Sequence, residues 1–294
     1  MARQRLGQHF LADAGWREEI TRAIRVSPQS IAPASSAENN NFCWIEIGAG
    51  HGEMTEHLAA SGVRVFAIEL DAQLAAGVRR LEKRFANLKV ISADILDTDV
   101  AVLSEGRRVR IYGNLPYYIT SPILHHLFAN AQLIDEIHIV IQHEVALRLA
   151  AQPGTRDYGY LSVLTQYFSR PEFVLDIPRS AFRPPPEVNS ALLTLRLPGE
   201  RAKLPHINET QFLDFVKLCF SQKRKTLLNN LKSHANPEKV RQTLAKLKLR
   251  ADARAEQLSV ADFAAVFQEL KPRRTNSLLY RSSAPPPSDP DSRS

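Results

Sequence analysis

From about residue 42 onwards, short apolar runs alternate with amphipathic stretches along the chain. The apolar runs predict five strands, and the 3.6-residue periodicity between them predicts helices. Four successive strand-to-helix units indicate an α/β fold, a Rossmann-like, doubly wound and mainly parallel sheet. The predicted strands are FCWIEIG, VRVFAIEL, LKVISAD, VRIYGNL and DEIHIVIQ, and the first two predicted helices are EMTEHLAASG and AQLAAGVRRLEKRF.

The pattern changes near residue 190, where one more predicted strand, SALLTLRL, precedes Lys-rich and largely helical sequence. We therefore expect a catalytic domain over 1–190 and a smaller, mostly helical domain over 191–271, with the boundary placed to within ten residues. The tail 272–294 has little apolar side chain to bury and is expected to be disordered. The Ser-, Pro- and Asn-rich segment 27–41 predicts a surface loop before the first strand of the sheet.

Composition excludes several classes of protein. No apolar run approaches the roughly 20 residues that span a bilayer, and the first residues carry no export signal, so we expect a soluble, cytoplasmic protein. Cys43 and Cys219 are far apart and neither belongs to a CxxC pair. This spacing supports neither a disulfide framework nor a zinc cluster, and favours two buried free thiols and no metal site.

Charge is distributed unevenly. Residues 1–189 hold 19 Lys+Arg and 21 Asp+Glu, a net −2, whereas residues 190–294 hold 19 and 10, a net +9. Such asymmetry suits a domain that docks on a polyanion while the other performs chemistry. A solvated basic surface without a partner is the alternative.

A glycine-rich turn follows the first strand of the sheet, in the sequence Glu46-Ile-Gly-Ala-Gly-His-Gly52. Glycines there let the backbone approach a ligand closely. The spacing is G-x-G-x-G rather than the dinucleotide G-x-G-x-x-G, and no Walker-type phosphate loop is present. A nucleoside ligand without a pyrophosphate fits this pattern better.

Two carboxylates follow at the next strand ends. Glu69 lies about 20 residues after the glycines, where a carboxylate can accept both ribose hydroxyls. Asp94 follows the third strand and could accept a hydrogen bond from an adenine amino group, with Ile95 against the ring. A helix N-cap is the alternative role for each carboxylate alone.

The chemical motif follows the fourth strand as Gly113-Asn-Leu-Pro-Tyr-Tyr118. Asn-Leu-Pro-Tyr resembles the [N/D/S]-[P/I/L]-P-[Y/F/W] signature of methyltransferases that act on amino nitrogens of bases. The Asn114 side-chain oxygen and the Leu115 carbonyl, held by Pro116, could each accept one amino hydrogen, while Tyr117 stacks on the base. An Asn-Pro turn that closes a strand beside a buried Tyr is the structural alternative.

Seven blocks in order extend this resemblance: GQHFL, EIGAGHGEMT, AIELD, SADIL, GNLPYYITSPILHHL, AFRPPPEVNSALLTL and CFSQKRKTLLNNL. Over about 270 residues the chain resembles the small-subunit ribosomal RNA adenine N6,N6-dimethyltransferase family, known through kasugamycin sensitivity. The resemblance implies S-adenosyl-L-methionine as methyl donor and two adjacent adenines of a 3′-terminal hairpin in 16S ribosomal RNA as target. It also implies a role in small-subunit biogenesis, the immature 30S subunit as partner, and a monomer.

The resemblance assigns roles residue by residue. His9 and Leu11 would close over the cofactor, Gly48 would lie under its methionine part, Glu69 would hold the ribose and Asp94 the adenine. Phe182 would sandwich the target base opposite Tyr117, although in isolation it predicts a packed loop aromatic. Many members carry Asn at the position of His9, and both side chains can hydrogen-bond. The expected cofactor contacts are Gln8, His9, Leu11, Glu46, Gly48, Gly50, Glu69, Leu70, Asp94, Ile95 and Asn114.

The block Gln222-Lys223-Arg224-Lys225-Thr226 is predicted to open a helix and to bind RNA phosphates, by shape more than by sequence. Leu227, Leu228 and Leu231 would then pack into the core of the small domain. Three alternatives remain: a large-subunit adenine methyltransferase of the macrolide-resistance type, a non-catalytic assembly factor, and a small-molecule methyltransferase. The long basic C-terminal region and the intact motif argue against them.

Overall fold

The computed structural model of the protein describes residues 9–26, 41–116 and 119–270. Its centre is a seven-stranded sheet in the order β4-β3-β2-β5-β6-β9-β7. A two-stranded antiparallel pair, β1 with β8, lies apart from it. The strands are β1 (Phe10–Leu11), β2 (Phe42–Ile47), β3 (Arg64–Glu69), β4 (Leu88–Ser92), β5 (Arg108–Asn114), β6 (Ile134–Gln142), β7 (Arg170–Ile177), β8 (Phe182–Arg183) and β9 (Ser190–Arg196).

The five predicted strands form the parallel part of the sheet, β4-β3-β2-β5-β6, and the Rossmann-like fold is confirmed. β9 is antiparallel to both β6 and β7. β7 was not predicted from the sequence. This strand is at the edge of the sheet and most of its residues are exposed or half-buried, so its apolar pattern is weak.

Helices cover both faces of the sheet. They are α1 (Ala14–Ala23), α2 (Glu53–Ala60), α3 (Ala72–Val78), α4 (Val100–Ser104), α5 (Thr120–Ala129), α6 (His143–Ala150), α7 (Tyr160–Phe168), α8 (Glu209–Cys219), α9 (Leu227–Leu231), α10 (Pro237–Lys246) and α11 (Val260–Leu270). Short polar side chains begin many of them, because an oxygen at the N-cap satisfies backbone N–H groups that lack helical partners. Asp71, for example, accepts from the N–H groups of Gln73 and Leu74.

The predicted second helix, over residues 72–85, is α-helical only to Val78 and then continues as a 3₁₀ turn, Arg79–Lys83. Gly77 lies at the change, and glycine is an unfavourable residue inside a helix. The two cysteines are buried and free, as predicted. Burial raises the pKa of the Cys43 thiol to about 11. Within the described ranges, no helix is both long and apolar enough to cross a membrane.

Alternate residues of each central strand enter two different cores. On β2, Cys43, Ile45 and Ile47 face the core that α5 to α11 cover, whereas Trp44 faces the core covered by α1 to α3. This alternation follows from the two-residue period of a strand. Burial on both faces explains why the parallel strands read as almost continuous apolar runs.

Residue 190, where we expected the helical domain to begin, lies in the sheet. The strand that we assigned to the start of the small domain, Ser190–Arg196, is β9, which lies inside the sheet between β6 and β7. The helical segment therefore begins after Arg196, within the stated margin. Its helices share one continuous apolar core with the face of the sheet. The functional division into a catalytic and an RNA-binding domain stays a prediction.

Candidate active site

The carboxyl ends of four parallel strands meet at one edge of the sheet. β2 ends at Ile47, β3 at Glu69, β4 at Ser92 and β5 at Asn114. Because the order of these strands is β4-β3-β2-β5, the residues that follow them are neighbours in space. Ligands of open α/β sheets bind at this edge.

The glycine turn after β2 depends on left-handed backbone conformations. Gly48 has φ +76° and Gly50 has φ +58°, a region that other residues rarely adopt. The N–H of Gly48 donates to the carbonyl of Ile68 at 2.9 Å, which ties the turn to β3. A Cβ on Gly50 would lie 3.0 Å from the ring of Phe10. Glycine is therefore required at both positions for conformation, and at Gly50 also for space.

Glu69 is nearly buried, with 2% of the residue exposed. Its Oε2 accepts the N–H of Gly50 at 2.8 Å and its Oε1 accepts the N–H of Asp71 at 2.9 Å. These bonds fix the carboxylate against the glycine turn, and each oxygen has a second lone pair for a ligand hydroxyl. Leu70 beside it is 53% exposed, so its side chain is open to a ligand.

A cavity of about 80 Å³, which we call the strand-end cavity, opens beside this turn. The acidic residues Glu69 and Asp94 are among its lining, and the remaining walls are mainly apolar. The Oδ1 atom of Asp94 accepts the N–H of Leu96 at 2.9 Å, so the N-cap interpretation of this residue is also realised. Apolar walls with carboxylates at the rim can hold a nucleoside. The lining is Ile47, Gly48, Ile68, Glu69, Leu70, Ala93, Asp94, Ile95, Pro116, Ile119 and Ile123.

A smaller cavity of about 30 Å³, the turn cavity, lies on the other side of the glycine turn. Gly48 lines both cavities. Glu46 lines the turn cavity and is only 1% exposed, and the hydroxyl of Thr55 donates to its Oε2 at 2.5 Å. Burial, opposed by this hydrogen bond, raises the pKa of Glu46 to about 8. The lining is Phe10, Leu11, Glu46, Gly48, Ala49, Gly50, Glu53, Met54, Tyr112 and Asn114.

The N-terminal segment closes over the turn cavity. β1 pairs with β8, so that Leu11 opposes Phe182. Nδ1 of His9 lies 2.8 Å from the carbonyl of Pro184, and the ring of Phe10 meets that of His51 at 4.3 Å. His9 and Leu11, which we predicted to cover the cofactor, therefore lie at this edge. Gln8 lies outside the described residues.

The motif residues stand where β5 ends. Nδ2 of Asn114 donates to the carbonyl of His9 at 2.8 Å, which leaves the side-chain oxygen as the acceptor end of the amide. The N–H of Leu115 donates to the carbonyl of Val140 at 3.0 Å, and Pro116 lines the strand-end cavity. Tyr117 lies outside the described residues.

Phe182 differs from its expected role. It is 1% exposed and packs in the core that also contains Leu11 and Ile20. Because the residue is buried, its ring offers no open face to a base in this structure. In the structure Phe182 is a packed aromatic, which is the interpretation that its local sequence favours without the family resemblance.

The basic block also needs a correction, because it does not open a helix. Lys223, Arg224 and Lys225 lie in the turn between α8 and α9, and Thr226 is the N-cap of α9. All three cations are exposed. Leu227 and Leu231 are fully buried, as predicted, and Leu228 is partly buried.

A groove of about 620 Å³ beside this block was not predicted from the sequence. Lys223 lines it together with Arg148 of α6 and Arg156, and Nζ of Lys223 donates to the carbonyl of Arg156 at 2.8 Å. More than sixty residues separate Lys223 from the two arginines in sequence, so no local pattern indicated the groove.

Known structures share this architecture. A dimethyladenosine transferase from Plasmodium falciparum superposes with a TM-score of 0.72 at 24% identity, over 90% of this chain and 98% of its own. The 23S rRNA methyltransferase ErmE gives a TM-score of 0.65 at 24% identity, over 89% and 99%. The sheet, the glycine turn, the strand-end carboxylates and the Asn-Leu-Pro sequence define a Rossmann-like methyltransferase.

The model of the family "Ribosomal RNA adenine dimethylase" matches residues 1–272. The chain belongs to this family, and it is an S-adenosylmethionine-dependent enzyme that dimethylates adenine in ribosomal RNA. "Ribosomal RNA small subunit methyltransferase A" of Koribacter versatilis is 38% identical over 280 residues, 91% of this chain and 94% of the relative. The protein of that name from Acidobacterium capsulatum is 38% identical over 272 residues, 92% and 91%.

Proposed function

We propose that the enzyme dimethylates N6 of two adjacent adenines in a 3′-terminal hairpin of small-subunit ribosomal RNA and acts during small-subunit biogenesis, as a monomer. Relatives that match nine-tenths of the chain carry the name of small-subunit methyltransferases. The observation that carries the chemistry is the position of Asn114, whose side chain lies at the strand-end edge beside the turn cavity.

The residues present fit the cofactor. Because the glycines of the turn carry no side chains, the space beside the turn is open to a ligand. Gly48 lines both the strand-end cavity and the turn cavity. We propose that Glu69 and Asp94 hold the ribose and the adenine in the strand-end cavity, between Leu70 and Ile95. Glu46 and Gly48 then hold the methionine part. When bound, S-adenosylmethionine supplies an electrophilic methyl group on a good leaving group.

The motif residues position the target amine. The lone pair of an adenine amino group is delocalised into the ring, so it is a poor nucleophile. The Asn114 side-chain oxygen and the Leu115 carbonyl accept the two amino hydrogens and draw the nitrogen towards a tetrahedral geometry. Because the Asn114 Nδ2 group donates to the carbonyl of His9, the acceptor is held before the base arrives. The amino proton is lost after transfer, and no strong general base is needed.

The basic block gives the RNA a docking surface. Lys223, Arg224 and Lys225 are exposed, and the region after residue 189 carries a net +9. Phosphate contacts of this kind supply affinity with little sequence preference. Replacing all three cations by Ala should weaken binding to small subunits and lower the salt dependence of the affinity by about one unit per lost phosphate contact. Ala at Arg241 and Lys246, whose cations pair with Glu238 and Glu269, is the matched control.

Transfer of labelled methyl groups from S-adenosylmethionine to unmethylated small subunits, followed by nucleoside analysis, tests the proposal. The wild type should form N6,N6-dimethyladenosine in small-subunit RNA, and Asn114→Ala should slow transfer at least about a hundredfold. Asn130→Ala, at the far end of α5, should leave the rate unchanged. Methylation of large-subunit RNA instead would overturn the proposal that small-subunit RNA is the substrate. RNA binding without any methylated adenine would indicate a non-catalytic assembly factor.

A further inference from the structure

The hydroxyl of Tyr112 is buried without a hydrogen-bond partner among the described residues. The residue is 2% exposed and belongs to the core under α1 to α3. Buried hydroxyl groups nearly always have a partner, because they lose hydrogen bonds to water on burial. An unsatisfied hydroxyl at the end of a functional strand therefore suggests that its partner is a ligand.

The location of Tyr112 narrows the choice of ligand. Tyr112 on β5 is the register partner of Glu46 on β2, and both residues line the turn cavity. This cavity of about 30 Å³ has room for one or two small groups, since a water needs roughly 10–15 Å³. It adjoins the strand-end cavity at Gly48, where the nucleoside is expected.

The turn cavity is acidic. Two carboxyl groups, those of Glu46 and Glu53, line it, and none of its described lining residues is a cation. Its remaining walls are largely backbone and apolar side chains such as Leu11 and Met54. A small cation with several N–H donors complements such a lining, and a primary ammonium group carries three donors.

We propose that the Tyr112 hydroxyl and the Glu46 carboxyl together bind the α-ammonium group at the amino-acid end of S-adenosylmethionine, with Tyr112 as a positioning residue for methyl transfer. The inference rests on the cofactor site described under Proposed function. The ammonium donates to the phenol oxygen and to the carboxylate, while Thr55 holds the other side of the carboxyl group. Anchoring this end fixes the sulfonium relative to Asn114.

This arrangement couples cofactor binding to a proton. Burial and the neighbouring carboxylates of Glu69 and Glu53 raise the pKa of Glu46, and the hydrogen bond from Thr55 opposes them, so Glu46 is largely protonated at pH 7 before the ligand arrives. Burial, with the Glu46 carboxyl as a second cause, raises the pKa of Tyr112, which stays a neutral hydroxyl. An ammonium group beside Glu46 favours the carboxylate, so that binding releases a proton to solvent. Affinity should therefore rise with pH up to about 8.

Calorimetric titration with two ligands tests this proposal without measuring turnover. S-adenosylhomocysteine carries the ammonium group, and 5′-methylthioadenosine lacks the whole amino-acid end. Titrations in buffers of different ionisation enthalpy give the number of protons released. The wild type should release most of a proton with S-adenosylhomocysteine at pH 7, and none with 5′-methylthioadenosine. Glu46→Gln should abolish the release.

Tyr112→Phe should weaken the binding of S-adenosylhomocysteine about tenfold, which is the effect of losing one hydrogen bond to a charged group. Its affinity for 5′-methylthioadenosine should be unchanged. It should not lower the melting temperature, because the hydroxyl has no described partner in the free protein. Tyr158→Phe is the matched control: Oη of Tyr158 donates to the carbonyl of Leu258 at 2.9 Å, so this variant should lose stability and keep its affinity for both ligands.

Equal weakening of both ligands in Tyr112→Phe would overturn the proposal, since it would indicate a general effect on the site. Unchanged affinity for S-adenosylhomocysteine would do the same. If the wild type binds neither ligand, the cofactor site itself is wrong, and that failure is distinct from failure of the Tyr112 assignment.

Discussion

The two ends of the parallel strands differ in how their charged side chains are satisfied. At the amino end, Arg108 of β5 pairs with Asp135, and Glu136 of β6 lies between Arg196, Arg110 and His138. At the carboxyl end, the Glu46 and Glu69 carboxyls instead bind a hydroxyl or backbone N–H groups.

This difference assigns a structural role to the charged groups at the amino end of the strands and a ligand-binding role to those at the carboxyl end. Ion pairs at the amino end compensate the cost of removing charge from water. Acidic groups at the carboxyl end are held by neutral donors, so they remain able to bind a cation or hydroxyl groups of a ligand. Changes at the amino end should therefore act on stability, and changes at the carboxyl end on cofactor binding.

The largest expected effect is that of Gly199→Ala, just beyond β9 at the amino end. A Cβ there would lie 2.3 Å from the backbone nitrogen of Ser169 and 2.5 Å from the carbonyl oxygen of Gln166. Backbone atoms cannot move aside cheaply, so the free energy of unfolding should fall by about 3 kcal/mol. Urea denaturation measures this. Gly77→Ala, in α3 with open space around it, should leave stability equal or higher.

Glu136→Ala should lower the free energy of unfolding by about 2 kcal/mol, because it leaves the half-buried Arg110 and Arg196 without their shared carboxylate. Affinity for S-adenosylhomocysteine should stay at the wild-type value. Glu238→Ala, which removes an exposed pair on α10, should cost less than about 1 kcal/mol. If Glu136→Ala lost affinity for S-adenosylhomocysteine, the amino end of the strands would also act on cofactor binding, and the proposed difference between the two ends would be wrong.

Gly48→Ala should cost about 1–2 kcal/mol of stability through its left-handed backbone, and at least tenfold in affinity for S-adenosylhomocysteine. Its added methyl group would stand between the two cavities that Gly48 lines. Gly62→Ala is the control, since Gly62 has φ +78° with no atom within 4 Å of the added Cβ. We expect the two variants to lose similar stability, and only Gly48→Ala to lose affinity for S-adenosylhomocysteine. This result would show that the carboxyl end binds the cofactor independently of its effect on stability.

Glu46→Gln should change the pH dependence of stability in the ligand-free protein. Because the pKa of Glu46 is raised from 4.5 to about 8 on folding, the unfolded chain loses this proton first, and rising pH between these values destabilises the wild type. The variant lacks this effect, so its stability relative to the wild type should rise by about 2–3 kcal/mol between pH 5 and 7. Melting curves of both proteins over this range measure the difference.

His138, in the middle of β6, has the opposite pH dependence. Burial lowers the pKa of this residue from 6.5 to about 3, so its contribution destabilises the fold as pH falls below 6.5. This contribution is common to the wild type and Glu46→Gln and cancels in their difference. An advantage of the variant that grows towards acid pH would contradict the assignment of Glu46.

Much of the sheet could be predicted because hydrophobic periodicity is a local signal. The five parallel strands are continuous runs of five to nine residues, and the glycine turn directly follows one of them, so both are visible in a short stretch of sequence. The motif at Asn114 was predictable for the same reason, because its four consecutive residues match the signature of methyltransferases that act on amino nitrogens. β7 was missed because an edge strand buries too little to keep a clear pattern.

The sequence by itself determined the five parallel strands, the residue types at the strand ends and the class of reaction, because each resides in a short continuous segment. Only the tertiary structure decided that β9 lies between β6 and β7, that Phe182 is buried under β1, and that Tyr112 has an unsatisfied hydroxyl beside Glu46. The physical reason is that burial and hydrogen bonding depend on which distant segment covers a side chain, and a local pattern carries no record of that segment.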